Sequence, residues 1–321
     1  MRILFLYLRP LEIDHLPNKC FDLTISSKVQ AKPTLVHAFG TRGVGMYSRR
    51  YQLLKQEAYL SRSALLYGFD AILKSNVQDT DRGNYYVALF QLSIGIERLL
   101  KLTLILEYMI ENEMQMIPKA ILKNVYSHGI LKLYGSCQKT AIKYFVKEMP
   151  FVNAGDSEYK MLGILDRFAM SSRYHNTNEL SGQAMDSDPL KDWWNEVLTH
   201  AIFDCVPSKK RTDLFEETIR ECDVGFGNGY TTEIDFNGNI MTRVDVIFMA
   251  KVLRIANPYV NWFLVKTLRP VYDILFELIS RIDETMLGYG AQSREQIPYL
   301  YEFFPFLLLD KKSVLRRRKW A

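Results

Sequence analysis

The stretch Gly95-Ile96-Glu97-Arg98-Leu99-Leu100-Lys101 decides how this chain folds. It lies inside an apolar run that begins at Gly83 and passes through Val87, Phe90, Leu92 and Ile94 to Leu104 and Leu106, leaving no polar face. A helix that is apolar on all sides belongs at the centre of a bundle. The pattern predicts such a helix from about Asn84 to Asn112, with Asp79, Thr80 and Asp81 as capping candidates. Its inner charges are informative. Glu97 and Lys101 are four apart with the acid first, the order that favours a helical ion pair. Charges in such a helix need partners, so a Glu97–Lys101 pair is expected at one edge of the bundle.

Working outward, a helix is predicted from about Tyr47 to Lys74, with Leu53, Leu54, Ala58, Leu65, Leu66 and Phe69 as its apolar stripe. Before it, residues 1–45 read as short strands and loop around Pro10 and Pro17, ending in the turn Thr41-Arg42-Gly43-Val44-Gly45. On the other side, His128 to Lys147 reads as a helix stopped by Pro150. Asp156 or Ser157 caps the next, which reaches about Met170. A polar segment from Ser171 to Asp188 follows, and Ser187-Asp188-Pro189 starts another helix with Pro at its first position. Its core face is Trp194, Val197, Leu198, Ala201 and Ile202.

Lys209-Lys210-Arg211 reads as a solvated loop, and the best domain boundary falls at about 207–229. Gly225, Gly227 and Gly229 lack the strand-then-helix frame of a phosphate loop. They lead into a hairpin at 230–244, whose Asn237-Gly238 predicts a type I′ turn. Asn257-Pro258 is expected to start a helix to about Leu287, kinked or broken near Pro270. Residues 295–309, with Tyr299, Tyr301, Phe303, Phe304 and Phe306, should pack on the body. The fold class is therefore mainly α: a helical bundle with a small β element. The expected organisation is a strand and loop segment at 1–45, a bundle at 46–206, hairpin and helices at 207–310, and a mobile basic tail at 311–321.

The 321 residues suffice for a sizeable core, and 48% apolar with 24% charged residues is ordinary for a globular protein. Net charge is +5, yet Lys311, Lys312, Arg316, Arg317, Arg318 and Lys319 alone contribute more than that. The rest of the chain is close to neutral, so a nucleic-acid surface would be a local patch or this tail. Cys20, Cys137, Cys205 and Cys222 show no metal-ligand or redox spacing and read as free thiols of a reducing cytosol. The apolar N-terminus is too short for a signal peptide. The longest uncharged run, Gly83 to Ile96, is shorter than the roughly 20 residues a membrane span needs. A cytoplasmic protein without membrane partners is expected.

Three pieces carry a resemblance: Gly95-x-Glu97-x-x-x-Lys101 in an apolar helix, His128-x-x-Leu131-x-Leu133-Tyr134, and Arg167 to Tyr174 at a later helix end. Together, over about residues 83–180, they resemble the HEPN domain, a small helical bundle of ribonuclease toxins, antiphage systems and nucleotidyltransferase-associated proteins. The resemblance implies an RNA- or nucleotide-interacting protein, with metal-independent ribonuclease activity in active members and no cofactor. It also implies sites that often form across a homodimer.

The active members' signature is an Arg, four to six residues, then a His. Histidine moves protons near neutral pH, and arginine grips a phosphate and stabilises charge in the transition state. This chain departs from it. Seven residues separate Arg167 from His175, and one separates Arg173 from His175. Arg9 and His15 have the right spacing but lie in the N-terminal strand and loop segment, where the match is chance. Two readings follow. Arg167, Arg173 and His175 with Asn176 form a variant ribonuclease site, or the bundle is catalytically silent and serves dimerisation or partner binding. In the second, His175 is a surface histidine and Arg173 packs between helices, paired with Glu97 or Asp166. Glu233 and Asp235, like Asp186 and Asp188, are explained by a hairpin face and a turn. The five scattered histidines argue against a sequence-local zinc site.

Overall fold

The computed structural model describes residues 47–124, 129–146, 150–185, 187–224, 229–288 and 297–321. The N-terminal segment 1–46, His128, and Gly225 and Gly227 lie outside them, so the readings placed there have no structural counterpart.

The heart of the fold is an antiparallel pair, α1 (Arg49–Lys74) and α2 (Asp79–Glu111). Ser48 caps α1, its side chain accepting from the Tyr51 N–H at 3.1 Å. Two glycines let the helices close on each other. A β-carbon on Gly68 would sit 2.7 Å from the Leu92 side chain, and one on Gly95 would sit 2.9 Å from the Leu65 backbone nitrogen. The Gly95 carbonyl also accepts a buried hydrogen bond from Ser61 Oγ at 2.8 Å. α2 starts earlier than expected. Asp79 and Asp81 occupy its first turn, where negative charge is favoured. The cap comes from far away: the Asp79 N–H donates to Glu233 at 3.0 Å.

Glu97 and Lys101 form the expected ion pair, 2.7 Å apart and mostly covered. Burial of α2 is uneven, however. Leu99, Leu100, Leu102 and Leu104 are sealed, while Val87 and Phe90 are 50% and 44% exposed. α3 (Lys119–Asn124), α4 (Ile130–Lys143) and α5 (Ser157–Met170) follow, and α4 and α5 pack against α2. Asp156 opens α5 but caps nothing inside it; its carboxylate accepts from the Asn153 N–H instead. A 3₁₀ turn, Ser172–Tyr174, leads to the short α6 (His175–Leu180). Asp188 caps α7 (Pro189–Trp193) as expected, accepting from the Leu190 and Lys191 N–H groups. α7 runs on through two π-helical segments, Trp194–Leu198 and Ala201–Cys205.

Several expectations are corrected. Lys209 to Arg211 form no loop: they open α8 (Ser208–Val224), which buries Leu214, Thr218 and Cys222 at spacing four and is tied to the next helix by Lys251 with Glu217 and Glu221. A helix therefore fills most of the anticipated linker. The hairpin is present, β1 (Tyr230–Ile234) and β2 (Ile240–Thr242), antiparallel with an irregular register. Its turn is not type I′, because only Gly238 has a positive φ, of 86°. The Gly238 N–H donates to the Asp235 carbonyl and the Asp235 N–H to that of Asn239, a turn closed by a left-handed glycine bulge. Asp235 braces it by accepting from the Asn237 and Asn239 N–H groups.

The strand then passes directly into α9 (Arg243–Gly288), a single 46-residue helix. Thr242 and Asp245 form its capping box: the Thr242 N–H donates to Asp245, whose own N–H donates to Thr242 Oγ1. α9 neither starts at Pro258 nor breaks at Pro270. Each proline costs about 3 kcal/mol in a helix interior, and dense burial on both sides of each overrides it: Ala256, Val260, Leu268 and Val271 have no exposed surface. Three of its polar side chains are fully covered. Asn257 donates to the Ile72 and Ser75 carbonyls, Asn261 to that of Phe69, and Thr267 to that of Phe263.

The aromatic segment packs on this body through Leu300, Phe304, Phe306 and Leu307. The residues after it are not a mobile tail. Asp310 caps α10 (Lys311–Arg316), Val314 is buried, and Trp320 is only 4% exposed against Phe69 and Phe306. The Trp320 and Ala321 N–H groups donate to the two oxygens of the buried Asp70 carboxylate at 2.6 and 3.0 Å. The sequence showed the charges, and the charges obscured the anchor.

Burial lifts the phenols of Tyr85 and Tyr134 well above the usual tyrosine range and that of Tyr301 to about 12. A protonated phenol is neutral, so below pH about 10 both folded and unfolded chains hold these protons. Above it the unfolded chain ionises first, and stability falls as pH rises. Equilibrium unfolding followed against pH should show stability constant through the neutral range and declining from about pH 10. The exposed tyrosines, Tyr67 and Tyr230 among them, should ionise in the folded chain, and the share of tyrosinate absorbance from Tyr85 and Tyr134 should appear only with unfolding. A stability that rises above that point would contradict the assignment.

Candidate functional site

The corner where α5 ends, the 3₁₀ turn follows and α6 begins lies against the exposed half of α2. α5 ends at Met170, and its last turns present Phe168, Ala169 and Met170 toward α2. Across from them stand Phe90, Ser93, Ile94 and Glu97 at spacings of three and four, one face of a helix. Arg173 closes the rim. Together these residues line a cavity of about 290 Å³. Phe90 supplies a half-exposed aromatic wall, and the Glu97 carboxylate at one end is held by Lys101.

The sequence-predicted residues gather around this corner but do not join into one group. Arg167 leaves the groove and pairs with Asp192 at 2.9 Å. Arg173 is exposed and lays its guanidinium over the Tyr174 ring, 5.0 Å from its centroid. His175 stands at the first position of α6, with Nε2 3.9 Å from Asp188 and Nδ1 buried without a partner. Among the described residues no hydrogen bond, ion pair or ring contact links His175 to Arg167 or Arg173. Asn176 accepts from the Tyr86 hydroxyl at 3.5 Å.

Two contributors escape a reading of the sequence. Tyr86 packs on Phe168, and burial raises its phenol, with the Asp188 charge adding and the Asn176 hydrogen bond opposing. Asp188 does two things: one oxygen caps α7 and the other faces His175. Tyr86 is visible in sequence only as the residue one turn before Phe90. The Asp188 carboxylate lies behind His175 at 3.9 Å, beyond hydrogen-bond length, and the histidine side chain is largely covered. An exposed arginine beside an aromatic wall is an arrangement for a phosphate next to a planar ring.

The basic residues lie elsewhere on the surface. Lys311, Lys312, Arg316, Arg318 and Lys319 are exposed, whereas Arg317 covers the Trp320 ring and donates to the Lys319 carbonyl. No helix among the described residues is long and apolar enough to cross a membrane. Compared with protein-family models, curated proteins and solved structures, the chain finds no match.

Proposed function

We propose that this chain is an RNA- or nucleotide-interacting protein, of the HEPN-like toxin or antiphage-defence kind that its motifs resemble, and that it binds in the α2–α5 groove. The observation that carries this is that the exposed Arg173 and the half-exposed Phe90 ring line one cavity of about 290 Å³. In this reading Arg173 holds a phosphate and Phe90 the flat face of a base. His175 and Asp188 stand next to the groove as the groups for a proton transfer, and Asn176 is held by Tyr86. The geometry supports binding more directly than cleavage, because Nε2 faces Asp188 and Nδ1 is covered.

Arg173→Ala should weaken nucleotide binding by about tenfold or more, the loss of one charge-assisted hydrogen bond, measured by calorimetry. Unchanged affinity would remove Arg173 from the site. Metal-free RNA cleavage, with chelator present, should be seen with wild type and lost in His175→Ala if the histidine moves the proton. Equal cleavage by both, or none by either, excludes that role.

A second reading is favoured by a separate observation. Val87, Phe90, Met170 and Tyr174 are all about half exposed around the groove, an apolar rim of the sort that a partner or a second copy covers. Under this alternative the bundle is a catalytically silent dimerisation or partner-binding module. A dimer whose dissociation constant is shifted by Phe90→Asp but not by nucleotide would support it.

A further inference from the structure

A second groove lies on the other side of the same exposed part of α2. Tyr67, Asp70 and Lys74 of α1, Asn84, Val87 and Gln91 of α2, and Lys319 near the anchored C-terminal segment line a cavity of about 390 Å³. On α2, Val87, Phe90 and Ile94 follow one another at spacings of three and four, so they form a single ridge. Val87 belongs to the second groove, Phe90 and Ile94 to the first. On α2 this ridge lies between the residues that line the two cavities, and it carries the exposed Val87 and Phe90 side chains.

We propose that the two grooves are halves of one track for a single RNA strand, which crosses α2 over the Val87–Phe90 ridge; this rests on the RNA-binding reading of the first groove. Cations stand at both ends, Lys74 and Lys319 on one side and Arg173 on the other. The carboxylates along the way are engaged. Asp70 gives both oxygens to the Trp320 and Ala321 N–H groups, and Glu97 holds Lys101. Tyr67, 59% exposed, and Phe90 offer ring faces in the two halves, and stacking of bases on such rings is tolerant of sequence. The Trp320 anchor turns the basic segment from a tether into a fixed wall, so Lys319 holds a defined place in the groove.

The span sets a length. Asn84 and Glu97 mark the ends of the track on α2, and at 1.5 Å per residue they are about 20 Å apart. With phosphates about 3.4 Å apart along a stacked strand, that is about six nucleotides.

The experiment measures binding of uridine monophosphate and of oligouridylates of three, six and ten nucleotides to the full chain by fluorescence anisotropy and calorimetry. Affinity should climb to about the hexamer and then level off. In the double variant Lys74→Gln and Lys319→Gln, hexamer affinity should fall tenfold or more. Its salt dependence should become shallower by about 1.4 in log–log slope, because two phosphates are no longer neutralised by lysine. Monophosphate affinity should stay unchanged in that variant, and Arg173→Ala should weaken both ligands. A hexamer bound with the same affinity and salt slope by wild type and the double variant overturns the track and leaves the first groove's reading intact. If wild type binds neither monophosphate nor oligomer, the RNA-binding reading itself fails, and the track with it.

Discussion

Gly95→Val should lower the unfolding free energy by about 3 kcal/mol or more, the upper range for forcing extra atoms into a packed core. At Gly95 a new β-carbon would meet the Leu65 backbone nitrogen at 2.9 Å and its side chain at 2.8 Å. Backbone cannot step aside as a side-chain tip can. α1 and α2 would have to move apart, and the Ser61 hydrogen bond to the Gly95 carbonyl would stretch with them. Gly95→Ala should show most of the same loss, even though alanine is favoured over glycine in a helix by about 1 kcal/mol. Gly135 in α4 is the control: nothing lies within 4 Å of its β-carbon position. Gly135→Ala should therefore stabilise by up to about 1 kcal/mol. Chemical denaturation of the three variants checks both signs. Equal effects at positions 95 and 135 would show that α1 and α2 do not touch closely at Gly95.

Asn257→Ala should cost about 3 kcal/mol, the range for leaving buried polar groups without partners. Asn257 is fully covered. Its amide donates to the Ile72 carbonyl at 2.8 Å and the Ser75 carbonyl at 2.9 Å, where α1 ends. Its oxygen accepts from the Tyr85 hydroxyl at 3.4 Å. Alanine strips the donors from the end of one helix and the acceptor from a buried phenol of another. Asn257→Asp should be worse at neutral pH, because it turns a fully buried carboxylate toward two carbonyl oxygens. A carboxyl buried against carbonyl oxygens has a raised folded-state pKa, so this variant should regain part of its stability as pH falls and the group protonates. Unfolding curves at acidic and neutral pH give the comparison. An aspartate variant that is most stable at neutral pH would rule out the buried amide bridge.

The sequence made the bundle legible wherever local pattern and tertiary burial agree. The α1 stripe, the Glu97–Lys101 pair and the Asp188-Pro189 helix start all stand where periodicity and capping chemistry put them. It failed where a long-range contact decides. Pro258 and Pro270 carry the signals of a helix start and a break, but burial along α9 outweighs them. Lys209 to Arg211 read as loop because α8 buries a narrow stripe, one of whose members is Thr218. Asn237-Gly238 suggested one turn type, and Asp235 selects another by gripping two backbone N–H groups. At the candidate site, Arg173 and His175 were singled out through residue type and order. Tyr86, which bonds Asn176, and Asp188, which faces His175, lie 90 and 13 positions away from them, and no local pattern connects them.

The seal between Asp70 and Trp320 has a consequence for how the protein is made. The two residues are 250 positions apart, and Asn257 reaches α1 across 185. A ribosome adding about 5–20 residues per second needs roughly ten to fifty seconds to supply the second partner. For much of that interval the end of α1 lacks the Asn257 amide that bonds the Ile72 and Ser75 carbonyls, and the Phe69 face is uncovered. The segments that cover it in the finished fold have not yet been synthesised. The nascent chain must be kept from sticking to itself or to others until α9 and then the Trp320 segment arrive, so α1 is sealed only late, long after it has been made.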